Sequence, residues 1–190
     1  MTQAELLEYL VDTLDALAID YMIVGSHASI YYGEPRFTQD VDVVIELTPS
    51  GLPGLLGRFP HPEFYVSEDA AREAIAQRGQ FNIIHGASGV KIDLFIGKDT
   101  EYDRLRFQRR HRLPLVPGRE AYFARPEDVV LYKLLYFQQG GSDRHLRDIA
   151  GILAVSGPDL DVSYISQWAR RLGVIELWEA TRRREDNDPK

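Results

Sequence analysis

Apolar positions recur at helical spacing over residues 4–18, where Leu6, Leu7, Leu10, Val11, Leu14 and Leu17 share a face and Glu5, Glu8 and Asp15 lie elsewhere. A short apolar run at residues 21–24 predicts a buried strand. Residues 27–32 read as a brief helix ended by Gly33 and Pro35, and residues 41–46 as a second strand stopped by Pro49, Gly51, Pro53 and Gly54. Ser67 precedes an amphipathic stretch at 68–77 with Glu68 and Asp69 in its first turn, the pattern of an N-capped helix. Residues 80–84 and 90–96 are β-rich and flank His85-Gly-Ala-Ser-Gly89, a hairpin signature. In the second arm Ile92, Leu94 and Ile96 fall on one face and Lys91, Asp93 and Phe95 on the other. Short strands are expected at 113–116 and 121–124.

From Pro126 the pattern turns helical, with Glu127 and Asp128 in the first turn and apolar residues up to Gly140-Gly141. A second helix is expected over 143–155, a third over 164–181, and a disordered tail over 182–190. The first two-thirds is therefore mixed and the last third helical. The expected fold class is α+β, a mixed sheet flanked by helices, with a domain at 1–125 and a C-terminal helical cap at 126–181 packed on it.

Composition narrows this only slightly. The 190 residues are 44% hydrophobic and 27% charged, ordinary for a soluble globular protein. A net charge of −7 argues against sequence-blind adhesion to nucleic acid, though not against a local basic groove. With no cysteine, disulfides and thiolate zinc sites are excluded. No apolar run reaches membrane-spanning length, and the acidic, amphipathic N-terminus is unlike a signal peptide, so a cytoplasmic location is expected.

The chemistry concentrates where the second strand opens. Thirteen residues separate Gly25-Ser26 from Asp40-Val41-Asp42. At i, i+2 on a strand, Asp40 and Asp42 point the same way, with roughly 6 to 7 Å between Cα atoms. Like charges so placed repel unless a cation sits between them, and the spacing suits two divalent ions about 3.5–4 Å apart. An isolated pair of this kind is more often a solvated strand edge. Here it opens a run, Val41, Val43, Val44 and Ile45, in which an unpaired carboxylate is costly to bury. Asp93 stands mid-strand, where pairing with a neighbouring strand would bring it to the same place. Arg36 and Thr38 lie just upstream at i, i+2 spacing, and Gly25-Ser26 can offer backbone amides and a hydroxyl to phosphate oxygens.

Gly25-Ser26, Asp40-Val41-Asp42 and the later Asp93 resemble the active-site pattern of the polymerase-beta-like nucleotidyltransferase superfamily. With Arg36-Phe-Thr-Gln, Lys133 and the segment Asp143-Arg-His-Leu-Arg-Asp148, the chain is similar to the bacterial branch holding the AbiEii-like abortive-infection toxins and small relatives. The resemblance spans roughly residues 20–155 and implies a minimal nucleotidyltransferase fold. It implies that Asp40, Asp42 and Asp93 hold two Mg²⁺ ions, with Mn²⁺ an alternative, and that Asp93 helps deprotonate the attacking hydroxyl. Gly25 and Ser26 would hold the β- and γ-phosphates of a nucleoside triphosphate. The product would be a nucleotidylated hydroxyl on an RNA end such as tRNA, a protein or a small molecule, with release of pyrophosphate. A toxin role would add an antitoxin partner. The chain after Asp148 is shorter than in the longer toxins.

Lys133 falls in one arc with Val129, Val130 and Phe137 on its helix. It either snorkels from a half-buried face or aims its ammonium at triphosphate or carboxylates, and the metal site favours the second. On the next helix Leu146, Ile149, Ala150 and Leu153 form a core stripe opposite Arg144, Arg147, Asp148 and Gly151. That polar stripe is a set of surface charges or an internal ion pair. The resemblance suggests instead that it borders the groove, with Arg144 or Arg147 near substrate phosphates. Arg104, Arg106, Arg109, Arg110, His111 and Arg112 form the one dense basic stretch, a solvated face or a nucleic-acid contact. The five histidines lack metal-ligand spacing. The rival to an enzyme is a non-catalytic nucleotide- or partner-binding module on the same fold.

Overall fold

The structure is a computed structural model describing residues 1–38 and 40–187. In chain order it runs α1 (Gln3–Ala16), β1 (Tyr21–Ile23), α2 (Gly25–Tyr32), β2 (Asp40–Ile45), α3 (Leu52–Leu56), β3 (Phe64–Tyr65), α4 (Glu68–Gln77), β4 (Gln80–His85) and β5 (Lys91–Ile96). It continues with α5 (Glu101–Gln108), β6 (His111–Val116), β7 (Arg119–Phe123), α6 (Pro126–Gly140), α7 (Asp143–Ser156), α8 (Val162–Arg171) and α9 (Ile175–Asn187). The chain divides into two compact units. The first comprises Met1–Val24 and Thr38–Phe123; the second comprises Gly25–Phe37 and the chain from Ala124 onward.

All seven strands found among the described residues lie in the first unit, in the order β3-β4-β5-β2-β1-β7-β6. The sheet is mixed: β2 runs parallel to β5 and antiparallel to β1, and β1 is parallel to β7. Strand alternation divides its centre cleanly. Val41, Val43 and Ile45 of β2, Ile92, Leu94 and Ile96 of β5 and Phe81 and Ile83 of β4 are all buried. The alternate positions carry Asp40, Asp42, Lys91, Asp93 and Asn82. A one-residue slip of register would exchange these sets and put carboxylates into the core, so the alternation itself fixes the pairing. Helix α1 adds Leu6, Leu7, Leu10 and Leu14 to the core, and its start is closed by a capping box between Thr2 and Glu5. At α4 the expected cap is present, with the Ser67 hydroxyl accepting from the Ala70 amide at 3.2 Å.

In the second unit α7 packs on α2, α6 and α9. Leu134, Ile149, Ile152, Ile165 and Trp178 are fully buried. Contact between α2 and α7 depends on two glycines. A Cβ on Gly33 would stand 2.9 Å from the Gly151 carbonyl carbon, and one on Gly151 would stand 3.2 Å from the Glu34 amide nitrogen. The stripe containing Asp148 and Gly151 is therefore a buried helix contact on that side: Asp148, Gly151 and Ile152 are buried, whereas Arg144 and Arg147 are exposed.

Several elements depart from the sequence expectation. Helix α3 forms inside the stretch read as a stop, because a proline in the first turn is tolerated and Leu52 and Leu55 are buried. Strand β3 is only two residues long, held by pairing with β4. Helix α5 lies within a run of charges that hides its periodicity, capped by the Thr100 hydroxyl accepting from the Asp103 amide at 3.0 Å. The expected third C-terminal helix is two, α8 and α9, broken where Gly173 adopts a φ of 74° that disfavours other residues. The expected disordered tail is helical as far as Asn187; residues 188–190 lie outside the described residues.

Candidate functional site

In the first unit, β2 and β5 run side by side with Asp42 directly paired to Asp93 and Asp40 to Lys91. Paired residues of adjacent strands share a face, so the three carboxylates and Lys91 project to the same side of the sheet. Asp93 is buried, its side chain 10% exposed, whereas the Asp40 side chain at the strand mouth is 52% exposed. Both oxygens of Asp93 are engaged. Oδ1 accepts from Asn82 Nδ2 at 3.0 Å, and Oδ2 meets Lys91 Nζ at 2.9 Å. Lys91 Nζ also stands 3.9 Å from Asp40 Oδ1. The hydrogen bond to Asp93 holds the Lys91 ammonium above its usual range; burial opposes this, and the charges of Asp93, Asp40 and Asp42 reinforce it.

The carboxylates share a face without being drawn to a point: among the described residues, no three His, Cys, Asp or Glu side chains are grouped so as to hold a metal ion. The place beside Asp93 and Asp40 is taken instead by an ammonium. The donor set still suits Mg²⁺ or Mn²⁺, being hard carboxylate oxygen throughout. Thr38 is buried and donates its hydroxyl to the Asp40 carbonyl at 3.3 Å, fixing the approach to β2.

Asn82 and Lys91 were not singled out from the sequence as site residues. Both were accessible to register arithmetic, since a hairpin turning at 85–89 sets residue 82 opposite 93 and alternation puts 91 on the same face.

The second unit carries the remaining predicted residues. Gly25 opens α2 with a φ of 60°, a conformation glycine adopts without strain. The helix thus starts at the Gly-Ser pair itself, two residues before the expected His27. Arg36 grips Asp148 in a two-pronged pair, Nε to Oδ1 at 2.6 Å and Nη2 to Oδ2 at 2.9 Å. The same Nη2 donates to the Ser26 hydroxyl at 2.8 Å. Lys133, its side chain only 7% exposed, reaches Asp148 Oδ2 at 2.5 Å. Burial pushes the Asp148 carboxyl up, but the hydrogen bonds and charges of Arg36 and Lys133 outweigh this and hold it below its ordinary value. Ser26, Arg36, Lys133 and Asp148 thus form one network, with the Asp148 carboxylate between the two cations. Lys133 is not a snorkelling surface lysine, and Asp148 is an internal ion-pair acceptor.

The basic stretch is largely neutralised. Arg106 is buried against Asp103 at 2.9 Å, Arg104 meets Asp99 at 2.6 Å and Arg110 meets Asp20 at 2.5 Å. Arg112 lies 3.9 Å from Glu120 and over the Tyr122 ring. Arg106 is withdrawn from the surface by its pair, whereas the exposed pairs of Arg104 and Arg112 are weak ones.

No protein-family model matches the sequence, and no curated protein is significantly similar to it. Solved structures are. An antigenic nucleotidyltransferase-like protein from Paracoccidioides brasiliensis aligns at 22% identity and TM-score 0.57, over 80% of this chain and 75% of that one. The antibiotic-resistance factor ANT(2'')-Ia aligns at 13% identity and TM-score 0.60, over 94% and 97% of the two chains. The lincosamide antibiotic adenylyltransferase LnuA, lincomycin-bound, aligns at 10% identity and TM-score 0.53, over 78% and 95%. Identities this low speak for architecture, and the architecture agrees with the α+β class and with helices at the C-terminus. The chain has the nucleotidyltransferase fold.

Proposed function

We propose that the protein is a divalent-metal-dependent nucleotidyltransferase. It would move a nucleoside monophosphate from a triphosphate to a hydroxyl acceptor. The observation that carries this is the in-register pairing of Asp42 with Asp93 on one sheet face, with Asp40 one pleat away. Asp40, Asp42 and Asp93 would hold the Mg²⁺ or Mn²⁺ ions, which when bound supply charge stabilisation at the attacking and leaving oxygens. Gly25, Ser26, Arg36 and Lys133 would bind phosphate oxygens, with Asp148 holding the two cationic side chains in place; Thr38, Arg144 and Arg147 would assist at the nucleotide. Asp93, oriented by Asn82, is the group to receive the acceptor hydroxyl proton. A bond forms between the acceptor oxygen and the α-phosphorus, the bond from that phosphorus to the bridging oxygen breaks, and pyrophosphate leaves.

A small hydroxylated acceptor is preferred over RNA. The burial of Arg106 against Asp103, which takes one charge out of the basic stretch, supports this choice. So does the neighbour ANT(2")-Ia, solved in complex with adenylyl-2"-tobramycin and aligned over 97% of this chain and 99% of its own. The test supplies each α-labelled triphosphate with Mg²⁺ and, in turn, tobramycin, lincomycin and total RNA. Label transferred to a small acceptor, and lost by at least about a hundredfold in Asp42→Ala and Asp93→Ala, is the expected result. Label unaffected by these substitutions would refute the assignment. Growth arrest on expression, relieved by Asp42→Ala, would extend the reading to a toxin.

A further inference from the structure

Lys91 has no part in the reading above, yet it makes the closest cationic contact to the acidic face. Its ammonium bridges the buried Asp93 at 2.9 Å and the exposed Asp40 at 3.9 Å. Its own backbone is paired with Asp40 across β2 and β5, so the side chain is delivered to this place by register and not by chance rotation at a loop. Its side chain is 36% exposed, leaving it a path outward to water. Three carboxylates with one ammonium carry a net charge of −2, which one divalent ion balances and two exceed.

We infer that Lys91 is a built-in counter-ion of this acidic face, holding Asp93 and Asp40 and yielding its place to a divalent ion. This rests on the proposed metal site. A unit charge a few ångströms from a divalent ion repels it even in a water-like dielectric, so the lysine sets an upper limit on metal affinity in the absence of triphosphate. It also spares the sheet the cost of an unpaired buried carboxylate when no metal is present. Lys91 is thus a positioning and affinity-setting residue.

Mn²⁺ binding, followed by the electron paramagnetic resonance signal of the free ion, tests this without any turnover. Lys91→Met and Lys91→Gln should bind Mn²⁺ roughly tenfold more tightly than the wild type. Asp93→Asn should bind at least tenfold more weakly. Equal affinity of wild type and both lysine variants, with Asp93→Asn weakened, overturns the role of Lys91 and leaves the metal site standing. Asp93→Asn binding as well as the wild type overturns the metal site and the inference with it. A second measurement needs no variant. Amine acylation read by peptide mass spectrometry should modify Lys91 several-fold faster with saturating Mg²⁺ than without it, with the exposed Lys98 as internal reference. A Lys91 reactivity unchanged or lowered by Mg²⁺ overturns the displacement.

Discussion

Asp148→Asn isolates the charge network of the second unit. The substitution keeps the shape of the side chain and removes the carboxylate charge set between Arg36 and Lys133. The cost falls unevenly. The Arg36 side chain is 26% exposed and keeps part of its hydration, whereas that of Lys133 is 7% exposed and loses the carboxylate charge at 2.5 Å. Breaking a buried pair at one partner costs about 3–5 kcal/mol, and the retained amide oxygen, which still accepts one hydrogen bond, places this case near 3 kcal/mol. Both tryptophans, Trp168 and Trp178, are buried in α8 and α9 of the same unit, so urea unfolding followed by their fluorescence reads the loss directly.

The pH dependence has a definite sign. The folded Asp148 carboxyl lies below its ordinary value of 3.8, so its contribution is fully present above that value and is lost as pH falls through the folded one. The gap between wild type and variant therefore narrows below about pH 4. Equal stabilities at pH 7, within about 0.5 kcal/mol, would refute the account of a buried, interdependent triad.

Gly33→Ala drives a Cβ to 2.9 Å from the backbone of α7, which neither helix can yield without shifting. A loss of about 1–3 kcal/mol is expected in the same fluorescence assay. Ser67→Ala removes the acceptor for the Ala70 amide at the start of α4 and should cost about 1 kcal/mol by thermal unfolding, leaving metal binding unchanged. Asp103→Ala removes the carboxylate that stands 2.9 Å from the buried Arg106 in an i, i+3 pair, so a loss of about 3 kcal/mol is expected, whereas Arg104→Ala at its exposed pair with Asp99 should change stability by less than about 1 kcal/mol.

The acidic face was legible from spacing alone. Alternation sets Asp40 with Asp42 and Asp93 with Lys91, because a strand has a period of two whatever surrounds it. The N-cap at Ser67, the hairpin at 85–89 and helices α6 and α7 were equally local, each written in a few adjacent residues. The sequence did not reveal which strands neighbour which. That β5 lies beside β2 with Asp93 in register with Asp42 is a non-local pairing across about fifty residues, chosen by the burial of Val41, Val43, Ile92 and Leu94 together. Nor did the spacing show that Lys91 occupies the place between carboxylates, or that Asp148, read as one of a polar stripe, is buried between Arg36 and Lys133. Helical periodicity identifies a face but not its partner, and the two glycines that let α2 and α7 approach carry no signal of their own until the helices meet. The local pattern decided the chemistry on offer; the packing of distant segments decided which charges neutralise one another.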